Sequence, residues 1–431
     1  MANALITSQV VTNDVLRIAH NASAFLGNMN TEFKEAWTGE YKPGNTLNAR
    51  RPVQFTHRTG SAANVQDVTE SSTPIVIQPE LGVDFAISSN DLALSVGSNG
   101  QVSKEFKNRY LLPAGLKIAA ILDFSIGTII KNGAHQLVGT PGTPPATFAD
   151  LLNSAVPLDR MSVPRDGNRM AAIEPGANAN IVAGISSLFN NQSVLGEQYK
   201  TGIIKTSAGL DIAMSQNVPS HTVGPLGGAP LTNGANQGLT NAGATDNPLA
   251  LNMSLITNGW TAAVAVRLNQ GDTFTIAGIF SVNPETKAST GVLQSFVVIG
   301  PTAAAPGPVS SDVAGNLTMA ISPCIIAGGA YQNVTARPGT GVALTITSGV
   351  ANTTYTQNIV WHRNAITFVS PKQETPGGMD MAYQASLADE GGISLRFVRG
   401  FDINLNRFVS RFDVLWGAAV VLPNFSVRRT N

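Results

Sequence analysis

Gly271-Asp-Thr-Phe-Thr-Ile-Ala-Gly278 and, a little further on, Gln294-Ser-Phe-Val-Val298 lie inside a stretch, His221 to Val350, that almost stops using charge. Its only ionised side chains are Asp246, Arg267, Asp272, Glu285, Lys287, Asp312 and Arg337, set among Gly, Thr, Asn, Ala and Val. Thr273 to Ile279 and Ser295 to Ile299 read as strands joined by a connection containing Pro and Gly, Val342 to Thr347 alternates as a strand does, and Asn233-Gly234 and Asn258-Gly259 read as tight turns. The stretch is expected to be an all-β module. Before it the chain shows helical periods and frequent Lys and Arg; after it comes a dense run of strands. Insertion of a module into a larger host domain is the simplest account. Enzymes built around one pocket rarely need such an insertion, whereas proteins that tile a surface often do.

Working outward, 431 residues exceed one ordinary hydrophobic core, so two domains plus extensions are expected. Lys plus Arg equals Asp plus Glu, 27 each, which gives no global footprint for gripping a nucleic-acid backbone or an acidic membrane. Only 13% of residues are charged, so the surface must be covered by Asn, Thr, Ser and Gly or by other subunits. The second is favoured, because a neutral monomer with so little charge is poorly protected from association. Cys324 is the only cysteine, which excludes an intramolecular disulfide and a thiolate metal cluster and makes a reducing compartment the default. Met1 to Val11 lacks a basic segment followed by an apolar one, and the greasy run Leu116 to Ile130 contains Lys117 and Asp123, so neither a signal peptide nor a membrane span is expected.

Asn13 or Asp14 can cap an arm helix whose apolar face is Val15, Ile18, Ala19, Ala22, Phe25 and Leu26. Arg50 to Leu94 turns strand-like: Val53 and Phe55 flank Gln54, and Val83, Phe85 and Ile87 alternate with polar or small residues, so the two runs are expected to fold back on each other. With about twenty residues per arm at about 3.3 Å each, that hairpin would reach roughly 65 Å. A ribbon so long cannot bury itself and needs a neighbouring subunit to lie on. Val102 to Asn132 reads as a long helix with a segment starting near Pro113, an apolar stripe of Leu116, Ala119, Ala120, Phe124 and Ile130, and a stop at Asn132-Gly133. Asp123 interrupts the stripe and is expected to face water or a partner's basic group. Phe148 to Met161 reads as a helix bent or interrupted at Pro157, Met170 to Ile173 as a strand, Ala183 to Leu195 as a further helix and Gly202 to Met214 as a strand. Beyond the module, Ile359 to Val369, Ile393 to Phe397, Phe401 to Leu405 and Arg411 to Leu422 read as strands bearing Arg396, Arg399, Arg407 and Arg411.

Chemistry is sparse. No Gly-rich phosphate loop ends in Gly-Lys-Ser/Thr, and no strand-coupled Gly-x-Gly-x-x-Gly turn appears. The five histidines, His20, His57, His135, His221 and His362, show no pair at helical or zinc-finger spacing. Ser98 and Ser186 fail to complete a Gly-x-Ser-x-Gly elbow. No catalytic residue, no cofactor-binding residue and no metal site is expected. The C-terminal arginines read as ion-pair partners within and between subunits rather than as a phosphate track, because aromatics are not interleaved with them in a single-strand-binding pattern.

The order of segments resembles the major capsid (coat) proteins of tailed double-stranded-DNA phages, in the short-tailed-phage branch with an inserted β-barrel domain. The residues that carry the resemblance are Asp14-Val-Leu-Arg-Ile-Ala-His20, Asp84-Phe-Ala-Ile-Ser-Ser-Asn-Asp-Leu92, the two barrel runs quoted first, and Asn358-Ile-Val-Trp-His-Arg-Asn-Ala-Ile366. The resemblance implies an α+β capsid fold. Its parts would be an N-terminal arm (1–49), an extended hairpin loop (50–95), a spine helix and peripheral domain (96–146), an axial domain in two parts (147–220 and 351–390), the inserted barrel (221–350) and peripheral-domain strands (391–431). It implies a non-enzymatic shell protein that assembles in the host cytoplasm into hexamers and pentamers of a virion capsid. Its partners would be copies of itself, a portal protein and packaged double-stranded DNA held without sequence reading, with no membrane involved. Because the arm begins almost at Met1, a separate scaffolding protein is expected rather than a cleaved leader. No lysine lies between Lys42 and Lys104, so a hairpin-borne isopeptide crosslink lacks its nucleophile. Asp246, alone in a neutral loop, is expected to contact Lys104, Lys107 or Arg109 of a neighbouring capsomer. The competing reading is a β-rich virion or cell-surface protein that binds a glycan or receptor; an enzyme comes third.

Overall fold

The computed structural model describes residues 8–32, 42–63, 65–66, 68, 70–88, 107–185, 209–238, 250–376, 381–386 and 393–431. The chain divides into two compact units, Met1–Ala49 with Pro74–Ile126 and Ile366–Ala419, and Arg50–Thr73 with Gly127–Ala365 and Val420–Asn431.

In the first unit, four antiparallel strands run in the order Met381–Ser386, Ser394–Asp402, Arg407–Val414 and Leu81–Ser88. Leu395, Phe397, Phe412 and Val414 are buried, the period-two pattern of a sheet with one covered face. The arm helix Ser8–Ala22 lies against the two strands at the Met381 side. Its buried face is Val11, Val15, Leu16 and Ala19, whereas Ala22, expected inside, is exposed. The spine helix Leu112–Gly133 begins after a π turn at Lys107–Leu111. Its inner row is Ala114, Ile118, Leu122 and Ile126, one residue every four, and Leu116 and Phe124 of the expected stripe face outward. At Gly115 a Cβ would lie 2.8 Å from Ile18 Cγ2, so the missing side chain lets the arm helix approach. The helix is long and apolar enough to cross a membrane by composition alone, but that inner row is buried in protein.

The expected fold-back of Val83–Ile87 onto Val53–Phe55 is not formed. Leu81–Ser88 pairs with Arg407–Val414, Phe85 facing Ser410, and Thr46–Arg51 pairs with Ser71–Val76. Alternation shows that a strand exists but carries no information about which edge completes it. Phe401 to Leu405 is likewise split: the strand ends at Asp402, and a turn with Asn406 at φ 46° leads into Arg407–Val414.

In the second unit, six strands among the described residues follow the order Leu344–Ile346, Thr273–Val282, Ser289–Gly300, Leu317–Ser322, Met253–Trp260 and Gly228–Thr232. Thr232 N donates to Val342 O at 2.9 Å and Gly341 N to Thr232 O at 2.8 Å, joining the last strand to the first and closing a barrel. Phe274, Ile276, Phe296, Val298, Leu317, Met319 and Ile321 fill its interior. The expected turn at Asn258-Gly259 is absent: Gly259, at φ 76°, sits within Met253–Trp260 opposite a register shift between Gly228 and Leu231. The host part is a sheet ordered Gln136–Val138, Ser426–Thr430, Thr354–His362, Arg169–Ile173 and Asp211–Met214, with Ser220–Thr222 also paired to Thr354–His362. Helices Phe148–Arg160 and Pro175–Ile185 pack on it around Leu151, Leu158, Ile173, Ile181, Val360 and Val427. Pro157 falls inside the first helix without ending it. The second starts earlier than expected, and 186–195 lie outside the described residues.

Candidate functional site

On the spine helix, Asp123 is buried rather than turned to water or to a partner. Ser23 Oγ donates to it, as do Ala24 N at 2.8 Å and Phe25 N at 3.4 Å, so one carboxylate holds the turn where the arm helix gives way to Leu26–Asn28. Burial pushes the Asp123 carboxyl up, with the bonds from Ser23, Ala24 and Phe25 pulling the other way. Lys107 Nζ lies 3.0 Å from Asp14 Oδ2 on the arm helix, so this expected assembly base has a partner in its own chain. Arg109 is exposed on the π turn. Asp246 and Lys104, like Ser98 and Ser186, lie outside the described residues.

A second cluster sits where the barrel joins its host. The chain enters the module through Ser220–Thr222 and leaves it through Thr354–His362, two strands that pair with each other, His221 facing Tyr355. The module turn Asn269–Asp272 comes down beside them. Asp272 is fully buried and accepts from His221 Nε2 at 2.8 Å, Asn269 N at 2.7 Å and Gly224 N at 3.1 Å. Gly271 has φ 93°, and a Cβ there would stand 3.1 Å from Asn132 Oδ1 and 3.3 Å from His221 Nδ1. Its carbonyl accepts from Arg428 Nη1 at 2.8 Å. Arg428 itself is buried in the terminal strand, and its Nε and Nη2 have no hydrogen-bond partner among the described residues.

Electrostatics follows from that burial. Desolvation pushes the Arg428 guanidinium down to about 10, partly offset by Asp272. Lys131, at the end of the spine helix, donates to Ser220 O at 3.3 Å; burial and the Arg428 charge push it down to about 8, while Asp272 pulls it up. His135 is pushed to about 3 by burial and Arg428, and His221 is lowered chiefly by burial, so both rings are neutral near pH 7. The histidines are distant in sequence, and only the fold brings His135 and His221 under the same guanidinium.

Elsewhere the charges satisfy one another. Arg396 reaches Asp413 at 2.8 Å and Glu80 at 3.7 Å, Arg411 reaches Glu80 at 2.9 Å, Arg407 reaches Asp402 at 3.4 Å and Arg399 lies 4.9 Å over the Phe408 ring. These arginines form ion pairs, the role expected of them, and one adds a cation–π contact. A cavity of about 310 Å³ is lined by Arg51, Tyr331, Cys324, Asn333 and Phe425 among others. Among the described residues no three His, Cys, Asp or Glu side chains are placed to hold a metal ion.

A mixed host fold with arm, spine helix and a barrel inserted through paired strands defines the major capsid proteins of tailed double-stranded-DNA phages. The profile described as P22 coat protein, gene protein 5, matches residues 42–427, and the chain belongs to that family. No curated protein matches the sequence. Among solved structures the chain is similar to that of Mycobacterium phage Che8, at 10% identity over 94% of this chain and 90% of that one, with a TM-score of 0.44. It is also similar to the capsid of the cyanophage P-SCSP1u, at 12% identity over 90% of this chain and 83% of that one, TM-score 0.37. The CUS-3 coat protein I-domain is matched at 26% identity over 29% of this chain and 99% of that domain, TM-score 0.19.

Proposed function

We propose that this coat protein assembles into an icosahedral shell of hexamers and pentamers around packaged double-stranded DNA. The observation that carries the reading is the segment between the strands Thr46–Arg51 and Ser71–Val76. Residues 52–63 form no strand, and Phe55 (60% exposed), Val65 (89%) and Val68 (64%) project large apolar groups into solvent. Such a loop is stabilised when a neighbouring subunit covers it. One sequence then serves both capsomer types because arms and loops absorb small angular differences while the sheet and barrel cores stay fixed. Assembly in the host cytoplasm would use a separate scaffolding protein and a portal protein, and the neutral overall charge suits containment of DNA rather than its recognition. Within this reading Asp246 contacts Lys104, Lys107 or Arg109 of an adjacent capsomer.

Electron microscopy and amide exchange test it together. The purified chain is expected to form shells or capsomers, with exchange over residues 50–76 fast in the free subunit and slow in the particle; small discrete oligomers, or equal protection in both states, would reject the reading. Asp246→Ala is expected to give misassembled or wrongly sized particles at an unchanged melting temperature.

A further inference from the structure

Two paired strands fasten the barrel to its host, and two strands side by side still allow rocking about their shared ladder. A third, non-covalent point of attachment removes that freedom. We infer that the turn Asn269–Asp272 is this point: a latch in which the host residues Arg428 and Asn132 hold one corner of the barrel and so set the direction in which it projects.

The geometry is specific to the turn. Asp272 points to the paired strands, taking the His221 Nε2–H and the Gly224 N–H. One residue earlier, the Gly271 carbonyl takes the Arg428 Nη1–H from the terminal host strand, and a Cβ at Gly271 would stand 3.1 Å from Asn132 Oδ1 at the end of the spine helix. Ser295 Oγ adds a bond from the barrel to the His135 carbonyl at 2.7 Å. Three host elements therefore meet one barrel corner. The barrel's own closure uses none of these side chains, since its interior is Phe274, Phe296, Met319 and their neighbours. The charges are also unequal: two cations, Arg428 and Lys131, act on the one carboxylate of Asp272. A buried cluster of this kind contributes little net stability but discriminates strongly between arrangements, because any rotation of the barrel leaves desolvated charges without their counter-charge. Asp272 and Arg428 are thus positioning residues for the module.

The inference rests on reading the module as an insertion, but its test is carried out on the unassembled full-length chain and does not require shells. Asp272→Asn disables the barrel side and Arg428→Met the host side. In both, amide exchange at the links, residues 221–226 and 350–356, is expected to rise about tenfold or more while exchange at Phe296 and Met319 stays unchanged. Exchange rising equally at the links and in the barrel would mean that the pair merely holds the barrel together, and no rise at the links would mean there is no latch. Either result overturns the inference. If Asp272→Asn does not fold, Arg428→Met decides alone, because Asp272 keeps its three donors in that variant.

Discussion

Lys107 Nζ sits 3.0 Å from Asp14 Oδ2, tying the π turn at the start of the spine helix to the arm helix of the same subunit. Both side chains are partly exposed, 41% and 27%, so the pair is solvent-screened. A double-mutant cycle with Asp14→Ala and Lys107→Ala is expected to give a coupling of about 0.2–1 kcal/mol that shrinks with added salt. A coupling well above that would show the pair to be a fixed tie instead of one that can exchange partners on assembly.

Asp123 is a stronger tie. Asp123→Ala would take from the buried Ala24 N–H its carboxylate acceptor, at about 1–3 kcal/mol, and leave Phe25 N–H to Ser23 Oγ, and exchange in residues 23–29 should quicken. Asp123→Asn, which keeps an acceptor oxygen, should lose far less. Because burial raises the Asp123 carboxyl, the folded state binds its proton before the unfolded chain does. Its contribution therefore favours folding increasingly as pH falls through the raised folded value, and the wild type should recover stability relative to Asp123→Asn on mild acidification.

Lys131 gives the opposite window. Its ammonium is pushed down to about 8 from 10.5, so the folded state bears the full cost of charging it below pH 8, part of it up to 10.5 and none above. Lys131→Met should be more stable than the wild type at pH 7, and denaturant titrations should show the two converging as pH rises to 9.5. A difference independent of pH between 7 and 9.5 would mean that folding leaves the Lys131 ammonium at its ordinary value.

The helix Phe148–Arg160 opens with a reciprocal cap: Thr147 Oγ1 accepts from Asp150 N at 3.3 Å, and Asp150 Oδ2 accepts from Thr147 N at 3.0 Å. Arg429 of the terminal strand donates to the other Asp150 oxygen at 2.8 Å. Thr147→Ala should cost about 1 kcal/mol by urea unfolding. Asp150→Ala should cost more, since it also strips a mostly buried guanidinium of its partner.

The barrel is expected to fold by itself. Residues 221–350 expressed alone should give dispersed amide signals and a cooperative melt, because the ring of strands closes through Thr232 and Val342 without host residues. A disordered spectrum would refute this.

Some of this was written in local sequence. The depletion of charge from His221 to Val350, the alternation of Thr273 to Ile279, the helix stop at Asn132-Gly133 and the helix read from Phe148 depend on neighbours a few residues away, and they delivered the insertion, its β character and the helices. Order and composition together carried the coat-protein resemblance. What tertiary structure decided was everything that needs a distant partner. Asp123 looked like an outward residue because a carboxylate in an apolar stripe is costly to bury; only the arm, about a hundred positions earlier, supplies the N–H groups that let it turn in and that shift the buried face away from Leu116 and Phe124. Strand Leu81–Ser88 advertised its pleat but not its partner, which lies more than three hundred residues downstream. The root of the module combines residue 221, residue 272 and residue 428, three charged or polar groups that are unremarkable separately. Their chemistry exists only once the fold removes water from around them, since desolvation and short range, neither encoded in spacing, make Arg428 and Asp272 act on each other.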